Sequence, residues 1–239
     1  DKWNPEKQID NLKKLLALTK PPASDEPARA TLVIWPETAV TARLLQHEQV
    51  KGRVAEQLAS FSGAVYLASG VLRIEAGEKP RYYNSLVTYD EALHEIAAYD
   101  KAHLVPFGEY IPFQHWIPLA PVAHFSGFEA GVGPQTQEIP AAGLRLAPLI
   151  CYEIIFPRSA RHQAADLIVN VTNDAWYGDS AGPRQHLVMA QFRAIEQGIP
   201  AARSANTGIS GLFDAYGRQV AAAPLDTAQA LYVPLPSVT

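Results

Sequence analysis

The chain has 239 residues, 48% of them hydrophobic and 18% charged, with a formal net charge of −4. That composition suits a globular domain with a large core, and its scattered basic residues form no stripe, so no nucleic acid is expected as a partner. One cysteine makes an internal disulfide impossible. No apolar run reaches the roughly 18 residues of a membrane span, and the charged opening DKWNPEKQID lacks the form of a signal peptide, so the domain is expected to be soluble.

The first element predicted is an amphipathic helix over residues 5–19, where Ile9, Leu12, Leu15, Leu16 and Leu18 recur at helical spacing. A loop at 21–27 leads to the apolar run 30–37, read as a buried strand that stops at a proline and carries Glu37 at its end. A helix is expected over 41–60 and a buried strand over 64–69. Residues 82–89 and 95–99 read as a hairpin. The stretch 104–134 is irregular, rich in Pro, Gly, Phe and Trp, and of a length usually tied to function. Then come a strand over 144–150 running into Cys151, a short helix over 157–165, a strand over 167–172 and a helix over 182–197. Short strands follow near 201–204, 209–213, 219–222 and 231–233. Helices and strands alternate without repeat or linker, which reads as one α/β domain over residues 1–239. Hydrophobic strands need cover on both faces, and a helix–sheet–sheet–helix sandwich supplies it.

Glu37, Lys101 and Cys151 each fall where a strand gives out, the place where α/β folds collect ligands and catalysis. Alone, each has an ordinary explanation: a capping acid, a solvated lysine, a small buried hydrophobe. Together they complete one mechanism. A carboxylate takes the thiol proton, the thiolate attacks a carbonyl, and an ammonium with a backbone N–H holds the oxyanion. PLICYEIIFP places Cys151 on a strand-to-helix turn, where helix dipoles are expected to lower its pKa.

The blocks IWPETAV (34–40), YDKAHLVPFGEYIPF (99–113), LICYEIIFP (149–157) and VNVTNDAWYG (169–178) resemble the signature segments of the nitrilase, or carbon–nitrogen hydrolase, superfamily. They are most similar to its apolipoprotein N-acyltransferase branch, and the similarity runs from Trp3 to about Val233. The resemblance implies a four-layer αββα sandwich and a triad of Glu37, Lys101 and Cys151. It also marks Glu109, eight residues after Lys101, as a carboxylate holding that lysine. Tyr152 is expected to contribute an oxyanion N–H, and Glu153 to support the site. Trp3 and Asn84 match family positions and are candidates for substrate contact, as are Phe107 and Trp116 in the aromatic stretch 104–128. Full-length members carry membrane-spanning helices on both sides, so the chain is expected to be a trimmed catalytic domain whose first strand precedes it.

The reaction so implied moves a fatty acyl chain from a phospholipid, through a Cys151 thioester, to the amine of an apolipoprotein's N-terminal diacylglyceryl-cysteine. It would run at the periplasmic face of the bacterial inner membrane. The aromatic stretch would act as a lid over acyl chains or against the membrane surface; its packing on its own domain is the alternative. No metal or organic cofactor is expected, since HExxH, CxxC and glycine-rich phosphate motifs are missing from the sequence. Two other readings stay open. The same triad would serve a soluble amidase, nitrilase or carbamoylase that resolves the thioester with water, and the fold would also serve as a non-catalytic module.

Overall fold

In the computed structural model, the residues described are 5–22, 28–110, 127–161 and 164–236. Trp3, Trp116 and most of the expected lid lie outside them.

In chain order the elements are α1 (Pro5–Leu18), β1 (Ala30–Thr41), α2 (Ala42–Leu45), α3 (Glu48–Leu58), β2 (Ala64–Glu75), β3 (Arg81–Tyr89), β4 (Glu95–Asp100) and β5 (Gln137–Ile139). They continue with β6 (Leu144–Ile150), β7 (Leu167–Asn173), α4 (Gly182–Gln197), β8 (Ala201–Asn206), β9 (Gly211–Phe213) and β10 (Gln219–Ala222). β1 to β4 form one sheet in chain order, and the other runs β10-β9-β8-β7-β6-β5. β1 pairs parallel with β2, as β6, β7 and β8 do with one another. The rest are antiparallel, including the expected β3–β4 hairpin.

Alternation along each strand decides the layering, because successive side chains point to opposite faces. On β2, Val65, Leu67 and Val71 pack outward with Leu12, Leu45, Val54 and Leu58 of the helices. Tyr66 and Ala68 point inward, meeting Leu146, Ile150, Val169 and Val171 of the second sheet. The outer face of that sheet sends Ala147, Leu149 and Ile168 against Ala190 and Ala194 of α4. The chain is thus an α/β sandwich of four layers, αββα. Trp35 ties α1 to the first sheet, its indole N–H donating to Thr19 Oγ1 at 2.9 Å. Among the described residues, no helix is long and apolar enough to cross a membrane.

Four local expectations need correction. The strand expected to stop at Glu37 continues to Thr41, interrupted by a register shift between Trp35 and Val40. The helix expected over 41–60 is two helices, the first capped by Thr41, whose hydroxyl accepts from Leu44 N at 3.2 Å. Residues 157–161 form a turn, and the helical geometry lies earlier, in a 3₁₀ turn at Cys151–Ile155. Residues 231–233 form no strand, because Pro234 and Pro236 remove alternate N–H donors from any ladder there.

Candidate active site

Glu37 owes its position to the shift in β1. Four residues, 36–39, stand against the single residue Gly70 between the ladder pairs Trp35–Ser69 and Val40–Val71. The chain arches there, with Thr38 at φ 45. The arch sits so close to β2 that a Cβ on Gly70 would lie 2.3 Å from the Pro36 carbonyl oxygen and 2.5 Å from Glu37 Cα. Bulges of this kind redirect a side chain; here the side chain is the Glu37 carboxylate, 6% exposed.

Lys101 follows the last residue of β4 and is 1% exposed. Its Nζ donates to Glu109 Oε1 at 2.8 Å and lies 4.0 Å from Glu37 Oε1. Asn84 on β3 joins the two acids, its Nδ2 lying 2.7 Å from Glu37 Oε1 and 3.2 Å from Glu109 Oε1. Glu109 is fastened by its other oxygen, which accepts from Val105 N at 2.8 Å. Burial is the largest influence on Lys101 and favours loss of its proton, but Glu37, Glu109 and Cys151 together outweigh it and raise its pKa. The lysine is therefore a fixed cation.

Cys151 is 7% exposed and stands at the end of β6 with a φ of 48. A non-glycine residue in this left-handed region costs about 1–3 kcal/mol and persists only when its surroundings hold it. Glu153 supplies part of that hold. Its Oε2 accepts from Ile150 N at 2.9 Å. Its Oε1 accepts from Tyr99 OH at 2.7 Å, Ala102 N at 2.9 Å and His103 N at 3.0 Å. One fully buried carboxylate thereby joins the residue before Cys151 to the two residues after Lys101. Burial raises the Glu153 pKa against these donors. Tyr152 stacks edge-on against Phe156, which lies face to face with His103 at 3.9 Å between centroids.

The expected acidification of Cys151 by helix dipoles is overturned. Its pKa is pushed up to about 12, first by burial and then by the Glu37 charge. Lys101 and the hydrogen bonds from the Thr172 side chain and Asn173 backbone draw it down, but not far enough. The 3₁₀ turn that follows has five residues, too short for aligned peptide dipoles to outweigh the burial. The resting group is a thiol.

Glu37, Lys101, Cys151, Glu109, Glu153 and Asn84 therefore converge in one buried cluster. Asn84 serves there as a clamp between two carboxylates. Phe107 stands apart from them, 53% exposed in the turn just before Glu109, where its N–H donates to Tyr110 O at 2.7 Å. Trp176 and Tyr177 are also exposed, just beyond β7. Among the described residues, no group of three or more His, Cys, Asp or Glu side chains is arranged to hold a metal ion.

The sequence reading missed a second buried polar cluster. Asp174 and Arg203 are both buried, and Arg203 donates to Asp174 Oδ2 at 2.6 Å. His186 on α4 meets Asp174 Oδ1 at 2.9 Å and the carbonyl oxygen of Cys151 at 3.2 Å. One signal was available: the apolar residues of α4 form no single stripe. Phe192 and Ile195 are half exposed, while His186 and Arg193 are buried.

A family model described as carbon–nitrogen hydrolase matches residues 2–239. The chain is 43% identical over 216 residues to an apolipoprotein N-acyltransferase from Rhizobium rhizogenes, a match covering 87% of this chain and 40% of the relative. It is 40% identical over 245 residues to an apolipoprotein N-acyltransferase from Brucella melitensis, covering 99% of this chain and 45% of the relative. The chain thus spans less than half the length of these relatives. Among solved structures, an amidase from Nesterenkonia sp. superposes with a TM-score of 0.63 at 20% identity, covering 92% of this chain and 81% of the amidase. That likeness carries the fold.

Proposed function

Since the chain belongs to the carbon–nitrogen hydrolase family, we propose that it is the catalytic domain of an apolipoprotein N-acyltransferase. The observation that carries this reading is the 43% identity to relatives of that name, against 20% to the amidases that share the fold. The buried meeting of carboxylate, ammonium and thiol supports a covalent acyl-enzyme route.

In the first half-reaction Cys151 Sγ attacks the ester carbonyl of a phospholipid as its proton passes to Glu37. Glu37 Oε2 has no hydrogen-bond partner among the described residues, so it has a lone pair for that proton. Negative charge moves from the carboxylate to the sulfur and on to the carbonyl oxygen. Lys101, with Tyr152 N–H as a second donor, stabilises that oxyanion. Collapse breaks the ester C–O bond. Glu37 returns its proton to the leaving alkoxide, and a lysophospholipid departs, leaving the thioester. In the second half-reaction the amine of an N-terminal diacylglyceryl-cysteine attacks the thioester, Glu37 takes the amine proton, and the C–S bond breaks. The sulfur recovers its proton from Glu37. Glu109 and Asn84 keep Lys101 and Glu37 apart and oriented throughout.

The exposed Phe107 supports an apolar approach to this site. A setting at the periplasmic face of the inner membrane follows from the substrates. Water in place of the amine would make the same domain an amidase, and the experiment separates the two. Intact-mass measurement after incubation with phospholipid micelles should give an adduct of one fatty acyl group. Cys151→Ala should lack it, and a diacylglyceryl-cysteine peptide should remove it with formation of acylated peptide. Loss of the adduct to water alone, with turnover of small amides, would replace the acyltransferase by the hydrolase.

A further inference from the structure

We propose that His186 is a positioning residue for the nucleophile, holding the carbonyl of Cys151 so that the thiol stays aimed into the site. The inference rests on Cys151 being the nucleophile, and is independent of which acyl donor it attacks.

The β6–β7 ladder ends at the pair Ile150–Val171. Cys151 lies one residue beyond it, in a left-handed turn. A buried carbonyl without a donor costs as much as a lost hydrogen bond. His186 Nε2, 3.2 Å from that oxygen, takes the place of the missing ladder partner. The imidazole is itself held. Its Nδ1 lies 2.9 Å from Asp174 Oδ1, and that carboxylate also accepts from Thr172 Oγ1 at 3.2 Å and from Arg203 at 2.6 Å. Arg203 is anchored in turn through Asn170 Oδ1 at 2.6 Å and Ile209 O at 3.2 Å. His186 Nε2 faces a carbonyl oxygen, which can only accept, so Nε2 is assigned as the donor, while Nδ1 also lies 3.2 Å from Arg203 Nη2. Space is reserved for this arrangement: a Cβ on Gly208 would fall 2.6 Å from Asp174 Oδ2.

The end of β7 thereby grips Cys151 at two points. Thr172 and Asn173 lie against the sulfur, while Asp174, through His186, fixes the carbonyl. The two grips set the rotation of the peptide that carries the thiol. With the carbonyl released, the elbow can relax from its left-handed conformation and carry the sulfur away from Glu37. A displacement near 1 Å at a reacting atom costs on the order of 100-fold in rate.

Because Cys151 is the only cysteine, its alkylation by iodoacetamide can be read by intact mass without ambiguity. The rate is measured for wild type, His186→Ala, His186→Gln, Asp174→Asn and Glu37→Gln, each beside its melting temperature and corrected to the folded fraction. Glutamine places an N–H donor near the position of Nε2. His186→Ala is expected to slow alkylation by about 10- to 100-fold, and His186→Gln to recover most of that loss. A purely structural histidine would lower the melting temperature of both variants and leave the rate per folded molecule unchanged, which would overturn the inference. So would a glutamine variant that folds like wild type yet reacts as slowly as the alanine variant. If His186→Ala does not fold, Asp174→Asn makes the same comparison, with the same slowing expected and a wild-type rate overturning the proposal. The Glu37→Gln control locates a failure. If it too reacts at the wild-type rate, the assignment of Cys151 and Glu37 is at fault; if it alone slows, only the role of His186 falls.

Discussion

The site has two walls, and they differ in how completely their polar groups are partnered. On the wall built by β1, β3 and β4, Glu37 Oε2 and Asn84 Oδ1 are buried without a hydrogen-bond partner among the described residues. Lys101 there lies within reach of both Glu37 and Glu109. On the wall built by β6, β7 and β8, Glu153 accepts four hydrogen bonds, and Asp174 is met by Arg203, His186 and Thr172. Unsatisfied buried polar atoms cost about 1–3 kcal/mol each, and two of the three among the described residues lie on the first wall, the third being Arg193 Nε on α4. The first wall spends stability on groups able to exchange protons. The second saturates its groups and thereby holds Cys151 in its left-handed conformation. Reactivity and rigidity are thus assigned to different sheets, which Glu153 joins through Tyr99, Ala102 and His103.

That contrast can be broken most severely at Glu37. Glu37→Gln keeps the acceptor facing Asn84 but removes the base, and should slow acylation of Cys151 by about 10²- to 10⁴-fold in single-turnover mass measurements, with little change in melting temperature. A fall below tenfold would remove Glu37 from the proton transfer. Lys101→Met deletes the fixed cation and leaves two carboxylates facing each other. Acylation should drop by about 10²- to 10³-fold, and a rate near wild type would assign the oxyanion to backbone donors alone. Gly70→Ala leaves every site residue in place chemically but forces a Cβ against the arch under Glu37. The expected loss is up to about 100-fold, so a fully active variant would show that the placement of Glu37 tolerates a moved arch.

The second wall should answer with stability. Glu153→Gln has one acceptor oxygen where the carboxylate has two, so either Ile150 N or the pair Ala102 N and His103 N is left facing an amide donor. It should lower unfolding free energy by about 1.5–3 kcal/mol in chemical denaturation, with a smaller effect on rate per folded molecule than Glu37→Gln. The reverse ordering would erase the distinction between the walls. The mildest signature is a pH effect absent near neutrality. The Cys151 thiol is raised from an ordinary value of 9.0 to about 12, so between those values the folded chain keeps a proton that the unfolded chain has released. Its stabilising contribution is complete below pH 9 and is lost as pH rises toward 12. Cys151→Ala should flatten that decline in thermal melts between pH 8 and 11; an unchanged decline would mean the thiol is not held protonated by burial.

The sequence and the structure agree most closely where local chemistry is strong. The strands at 144–150 and 219–222 and the helix at 182–197 have the bounds expected from apolar runs and flanking Gly and Pro. They agree least where one element yields to another. β1 runs through Pro36 because an arch against Gly70 absorbs the proline, and that arch depends on a strand far along the chain. The helix read after Cys151 is a 3₁₀ turn, shaped by the Glu153 side chain capping Ile150 N. Phe192 and Ile195 are apolar, yet α4 turns them outward to bury His186 and Arg193. Its orientation follows from the polar partners beneath it: Asp174 and the Cys151 carbonyl for His186, the Ile154 and Ile155 carbonyls for Arg193.

By itself, then, the sequence determined the alternation of helices and strands, and with it the layered fold. It also carried the residue types of Glu37, Lys101, Glu109, Cys151 and Glu153, because they sit in compact blocks whose spacing can be read along the chain. Only the tertiary structure decided the charge state of Cys151 and the grip on its backbone. Both are properties of burial and of partners drawn from separate strands and a helix: Thr172, Asp174, His186 and Arg203. A pKa follows the summed field and desolvation at one point in space, and a buried carbonyl takes whichever donor the packing brings to it. Neither quantity exists until the two sheets have closed on each other.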